Sequence, residues 1–204
     1  MFLDLIRRRN FQLVEQAIAL HQAGKLPANS YVIDLDAVED NARAIAGIAG
    51  KLGLKVFAMT KLMGPNSSFC QAFARGGIGK AVAVDMECAR ATHRAGLGLG
   101  HIGHLVQIPK YEASAAAKLS PDYWTVFNEE KAREAAAASE QLGRVQELLV
   151  RIHAGGDRFY RGHEGGFAAA DVVQVADRLD QIPGARFAGI TSFPALLFDQ
   201  EAAP

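Results

Sequence analysis

The sequence predicts an α/β fold: a TIM-type (β/α) barrel that is incomplete, with about six of the eight barrel strands present. Three observations predict it. Short apolar runs alternate with longer amphipathic segments from residue 31 to residue 191, the pattern of βαβ units on a parallel sheet. The turn after the first run, Ile33-Asp34-Leu35-Asp36-Ala37, holds no glycine, so the phosphate-cradling fingerprint of an open dinucleotide-binding sheet is missing. Counted from Lys55, six runs are complete by Thr191, and only 13 of the 204 residues follow it. A whole barrel of this kind takes roughly 250 residues.

The elements follow in order. Residues 2–23 set Phe2, Leu5, Ile6, Leu13, Ala17, Ile18 and Leu20 mostly on one face, as an amphipathic helix does, and Gly24 stops it. The apolar runs 31–35, 55–59, 80–84, 101–106, 123–127, 148–153 and 186–191 are short and largely β-branched or aromatic, as buried parallel strands should be. Helices are expected between them at 36–52, at 67–75 with a serine cap, and at 85–95 behind Asp85. A further helix, 128–142, has Asn128 at its cap and Glu129-Glu130 in its first turn, where acids suit the helix dipole. Gly96 and Gly143 fall where C-terminal caps belong, and 168–179 forms the last helix before Pro183-Gly184. The run Gly96-Leu97-Gly98-Leu99-Gly100 precedes a strand instead of following one, the wrong context for a dinucleotide site.

Composition narrows the function classes. The 22 basic residues match the 22 acidic ones, half of the chain is apolar, and mean hydropathy is +0.04. A disordered chain needs lower hydrophobicity and a larger net charge, and a nucleic-acid binder needs a basic footprint. The Arg7-Arg8-Arg9 run stands alone and reads as one charged helix face. Two cysteines, Cys70 and Cys88, are too few for a disulfide framework. No apolar stretch reaches the roughly 18 residues of a membrane span, and the N-terminus lacks a signal-peptide core. The expectation is a cytoplasmic protein with neither nucleic-acid nor membrane partners.

In a barrel the reactive residues cluster at the C-terminal ends of the strands. Those ends carry Thr60 and Lys61, Asp85, His104 and Gln107, Asn128, His153 with Asp157 and Arg158, and Thr191 with Ser192. Lys61 directly follows the apolar run Val56-Phe57-Ala58-Met59. A lysine desolvated at a barrel mouth offers the neutral amine that Schiff-base chemistry needs. Histidines at i and i+3, His101 and His104, should point to opposite faces of their strand. No metal site is expected.

The segment from Val32 to Asn41, followed by Phe57-Ala58-Met59-Thr60-Lys61, resembles the opening of the alanine racemase-like family of pyridoxal phosphate proteins, fold type III. The chain is similar in particular to the YhfX-type amino-acid racemase branch. The similarity continues through Ala81-Val82-Ala83-Val84-Asp85, Glu87-Cys88-Ala89-Arg90 and Arg94-Ala95-Gly96-Leu97. It extends to Gly103-His104-Leu105-Val106-Gln107-Ile108-Pro109, to Thr125-Val126-Phe127 with Lys131-Ala132-Arg133, and to the block from Tyr160 to Phe167. The blocks occur in order from about residue 2 to residue 198.

The resemblance implies pyridoxal 5'-phosphate as cofactor, held as an internal aldimine by Lys61, which then serves as one of two catalytic bases of an amino-acid racemase or epimerase. It implies a small amino-acid substrate, a homodimer for the full-length protein, and cofactor contacts from His104 and, more distantly, Arg158. Ser192 stands where the family commonly stacks a histidine on the pyridine ring; serine can hydrogen-bond there but not stack. Asp157 with Glu164-Gly165-Gly166 is expected to form a turn. The predicted organisation is an N-terminal helical segment, 1–30, followed by a truncated alanine racemase-type barrel domain, 31–204. The strand at 31–35 belongs, by resemblance, with a separate C-terminal β-domain. The phosphate site and the second base are expected beyond Pro204, leaving this portion inactive alone. A non-catalytic holder of the cofactor and a D-amino-acid lyase relative are the alternative readings.

Overall fold

The structure, a computed structural model, describes residues 2–163 and 165–193. The expectations for Glu164, for Pro194 and for the stretch to residue 204 lie outside the described residues. Seven parallel strands form one sheet: β1 (Ala58–Met59), β2 (Lys80–Val82), β3 (Gly98–Ile102), β4 (Tyr123–Val126), β5 (Gln146–His153), β6 (Phe167–Ala168) and β7 (Ala185–Thr191). They run in the order β1-β2-β3-β4-β5, after which β7 pairs with most of β5, and the short β6 takes its last two residues, Ile152 and His153. Among the described residues β1 pairs only with β2 and β7 only with β5, so the barrel is incomplete and its wall stays open between them.

Helices α1 (Phe2–Arg9) and α2 (Phe11–Gln22) precede the sheet. Helices α3 (Leu35–Lys51), α4 (Ser67–Arg75), α5 (Met86–Arg94), α6 (Ala113–Lys118), α7 (Glu129–Glu140) and α8 (Val172–Asp180) alternate with the strands. The main core lies between strands and helices. Leu99, Ile102, Trp124, Val126, Leu148 and Val150 pack there against small residues such as Ala116, Ala135 and Ala136 and against Val175 and Leu179. Alanine on the facing helices lets the layers approach, and each buried Leu, Val or Trp contributes roughly 1.5–3 kcal/mol of transfer free energy. Alternation then sends Leu149 and Arg151 of β5 to the opposite face, the inside of the barrel.

Several expectations need correction. Residues 31–34 form no strand. The Asp34 side chain caps α3, accepting from the Ala37 amide at 3.0 Å, and it also takes the Asn10 amide at 2.5 Å. A residue committed to a helix cap cannot run on as a strand. Asn10 likewise divides the expected 2–23 helix, its side chain accepting from the Leu13 amide. Asn66, not a serine, caps α4. The third strand begins at Gly98, earlier than expected, because the glycine run is part of it. A Cβ on Gly100 would sit 2.3 Å from the Phe57 ring. The alanine-rich α6 and the two-residue β6 went unanticipated, since neither carries a strong apolar period. The caps of α5 by Asp85 and of α7 by Asn128 are as expected.

Candidate functional site

Loops leaving the C-terminal ends of β1, β3, β5 and β7 bring one set of side chains together. Lys61 lies in the turn directly after β1, exposed, and forms no hydrogen bond or ion pair with a described residue. The expected desolvation of its amine is therefore not supplied by the described residues, because the barrel wall beside β1 is open. A cleft of about 250 Å³ opens beside it, lined by Pro65, Val84, Asp85, Glu87, Cys88 and Ala91.

His104 follows the turn at Gly103 and is half-buried. Its Nδ1 lies 3.4 Å from the Thr191 Oγ1 on β7, and its ring meets Phe193 edge-on at 5.5 Å. Burial pushes its pKa below the usual histidine value, and the positive fields of Arg151, Lys61 and His163 add to that. The imidazole is thus biased toward its neutral form beside Arg151 and Lys61. His101 is not on the opposite face as expected: the two rings are 5.1 Å apart. The strand ends at Ile102 and Gly103 turns the chain at φ +75°, so the period of two no longer applies. Gln107 braces this exit, donating to the carbonyls of Gly103 and Thr125 and accepting from the Phe127 amide.

His101 is 9% exposed, and its Nε2 lies 2.5 Å from Thr125 Oγ1. Burial first, and His104 second, push its pKa down to about 4. Between pH 6.5 and 4 the unfolded chain binds a proton that the folded one refuses. The stability His101 contributes is complete above pH 6.5 and is lost as pH falls toward 4, by about 3 kcal/mol. Urea midpoints should accordingly fall over that window, and His101→Gln, which keeps a hydrogen-bonding side chain but cannot titrate, should flatten the fall. Parallel pH curves for the two proteins would contradict this.

Two residues singled out by sequence are exposed and make no side-chain hydrogen bond to a described residue of the cluster. Arg158 is exposed in the loop after β5 and forms no hydrogen bond or ion pair with a described residue. Ser192 is exposed just past β7, while its neighbour Phe193 supplies the aromatic surface, within 5.7 Å of His163 and 6.0 Å of Tyr160. Sequence reasoning missed Arg151, which is 1% exposed on the inner face of β5. It stood inside an apolar run, where only its alternation with Leu148 and Val150 could have marked it as inward-facing. It also missed Phe193 and the buried Nδ1 of His163, which only the folded loops reveal. Among the described residues no group of three His, Cys, Asp or Glu side chains could hold a metal ion, and no helix is long and apolar enough to cross a membrane.

The family described as the alanine racemase N-terminal domain matches residues 33–203. The chain is similar to the uncharacterized protein YhfX of Escherichia coli (strain K12), 37% identical over 200 residues that make up 98% of this chain and 52% of that protein. The chain thus spans about half the length of this curated relative. Among solved structures it is similar to D-threonine aldolase from Filomicrobium marinum, with 20% identity and a TM-score of 0.62 over 81% of this chain and 44% of that one. Diaminopimelate decarboxylase from M. jannaschii gives 13% identity and a TM-score of 0.65 over 85% and 44% of the respective chains. Alanine racemase from a D-cycloserine-producing Streptomyces lavendulae gives 18% and 0.56, over 80% and 44%.

Proposed function

Because the chain belongs to the alanine racemase N-terminal domain family, we propose that it is the lysine-bearing part of a pyridoxal 5'-phosphate-dependent amino-acid racemase or epimerase. The observation that carries this is the position of Lys61: just past the C-terminal end of the first barrel strand, without a hydrogen bond or ion pair to a described residue, and near enough for its charge to lower the pKa of His104. The residues present fit the cofactor in part. They offer an amine free to bond its aldehyde carbon, and polar atoms without partners in Thr60 Oγ1, Arg151 Nε and His163 Nδ1. When bound, the cofactor supplies an electron sink that makes the substrate Cα–H acidic.

The chain's own residues then divide the work. Lys61 holds the cofactor and moves a proton at one face of Cα. His104 and Phe193 wall the site, and the neutral state of His104 avoids adding a further positive charge beside the lysine. The rest of the protein is to supply the second base and further contacts to the cofactor. The aldolase, decarboxylase and racemase neighbours bear names of three reactions, so the fold alone does not choose among them. The racemase reading rests on the sequence blocks shared with the YhfX-type branch. The exposure of Lys61 favours a second reading, a protein that holds the cofactor without catalysis.

Adding pyridoxal phosphate to the protein, reducing with borohydride and mapping peptides by mass should locate the adduct on Lys61. An adduct on any other lysine would remove the basis of the proposal. In the longer protein of which this chain is proposed to be part, an amino acid incubated with the loaded form in heavy water should gain deuterium at Cα with its carbon skeleton intact. Release of a smaller carbonyl fragment would mean a lyase, and an unchanged amino acid would leave the holder.

A further inference from the structure

Arg151 is a buried cation with donors to spare. Its guanidinium lies 5.9 and 5.4 Å from the rings of Phe127 and Phe159. Both of its hydrogen bonds to described residues leave from Nη2, one to the His163 carbonyl at 3.4 Å and one to the Phe193 carbonyl at 2.5 Å. Among the described residues the buried Nε has no partner, and neither has the buried Nδ1 of His163, whose carbonyl accepts from Nη2. Among the described residues no carboxylate forms an ion pair with Arg151. Among the described residues Asp157 is the acid whose field reaches it, and its Oδ2 is engaged by the Ala154 amide.

Such an arrangement is expensive in an apoprotein. Withdrawing a guanidinium from water is costly, and an unsatisfied buried donor adds to that cost. Two neutral carbonyls offset only part of that, and buried charges are ordinarily matched by a charge of opposite sign. The neighbourhood is one-sided too, since Arg151, Lys61 and His163 all press positive potential onto His104. We propose that Arg151, with His163, forms an oxyanion subsite inside the barrel mouth that takes a carboxylate or phosphate group of a small ligand. Planar guanidinium donors match both geometries. Nη1 likewise makes no hydrogen bond to a described residue, so an edge of the guanidinium is left to the anion. The subsite deepens the proposed function and rests on it only for which molecule carries the anion: the cofactor through its phosphate, or the substrate through its carboxylate.

The first test uses inorganic phosphate alone, on the wild-type protein. The ¹⁵N resonance of the Arg151 Nε–H should move as phosphate is added at fixed ionic strength, and it reads the site even if a variant fails to fold. Calorimetric affinity for phosphate should fall about tenfold or more in Arg151→Met and recover in part in Arg151→Lys. An Nε resonance that does not move, or equal affinity in Arg151→Met, would overturn the subsite and leave Arg151 a staple between two loops. Lys61→Ala separates this from the lysine reading: it should abolish attachment of pyridoxal phosphate while the Arg151 resonance still answers to phosphate. The carrier is found by comparing pyridoxal phosphate with pyridoxal, and an amino acid with its decarboxylated amine. If Arg151→Lys blunts the first preference the anion is the cofactor's phosphate, and if the second, the substrate's carboxylate. Either result supports the subsite, and full retention of both preferences counts against it.

Discussion

In the longer protein of which this chain is proposed to be the lysine-bearing part, Lys61→Ala is expected to lower turnover of an amino acid by about 10³-fold or more, and to abolish covalent retention of pyridoxal phosphate through gel filtration. The magnitude follows from two losses at one position. A positioned proton carrier contributes about 10²–10⁴-fold, and a nucleophilic amine at a strand end cannot be replaced by another lysine that the sheet does not aim at the site. Lys61→Arg is the informative companion. It keeps the positive charge that helps hold His104 neutral, so the histidine environment should change little, yet guanidinium is neither a nucleophile nor a base near neutral pH. If Lys61→Arg retained turnover, the lysine would be acting through its charge alone. A small primary alkylamine added to Lys61→Ala should restore part of the proton transfer, while added sodium chloride should not. Rescue by salt would point to electrostatics instead of chemistry.

How much of this was legible in the sequence depends on what kind of interaction decided each feature. The alternation of strands and helices was readable because each element buries one face, and burial writes a period into the chain. Asp85 and Asn128 could be read as caps because capping is a contact over three residues. Lys61 could be singled out because a strand end is a local position. The elements that failed were decided elsewhere. The run at 31–35 looks like a strand, but Asp34 is held by Ala37 and by Asn10, 24 residues away. His101 and His104 meet because Gly103 turns the chain, and Thr125, on a different strand, fixes His101. Arg151 is visible only once the carbonyls of His163 and Phe193 arrive over it. In this chain, what a residue does within one turn of helix or one strand is written locally. What it meets across the barrel mouth is not.

Gly103 is where those two kinds of information join, and Gly103→Ala is expected to destabilise the fold by about 3–5 kcal/mol. The residue sits at φ +75°, and a Cβ there would lie 2.5 Å from the Thr125 carbonyl oxygen and 3.2 Å from Cδ1 of Trp124. The left-handed conformation alone costs a non-glycine residue about 1–2 kcal/mol. The remainder is steric, and neither neighbour can yield cheaply. The carbonyl belongs to the backbone of β4, and Trp124 is 2% exposed within the main core. Gly143→Ala supplies the control. Gly143 has a similar φ of +68°, but nothing lies within 4 Å of its added Cβ, so only the conformational part, about 1 kcal/mol, should appear. Urea midpoints of the two variants measure the difference. If they shifted equally, the contact with β4 would not be what requires glycine at 103. Because His104 is the next residue, the strain in Gly103→Ala should also reach the site. Whatever folded protein remains should have a His104 pKa nearer the ordinary histidine value as the imidazole turns toward solvent. Gly143→Ala, on the far side of α7, should leave that pKa in place.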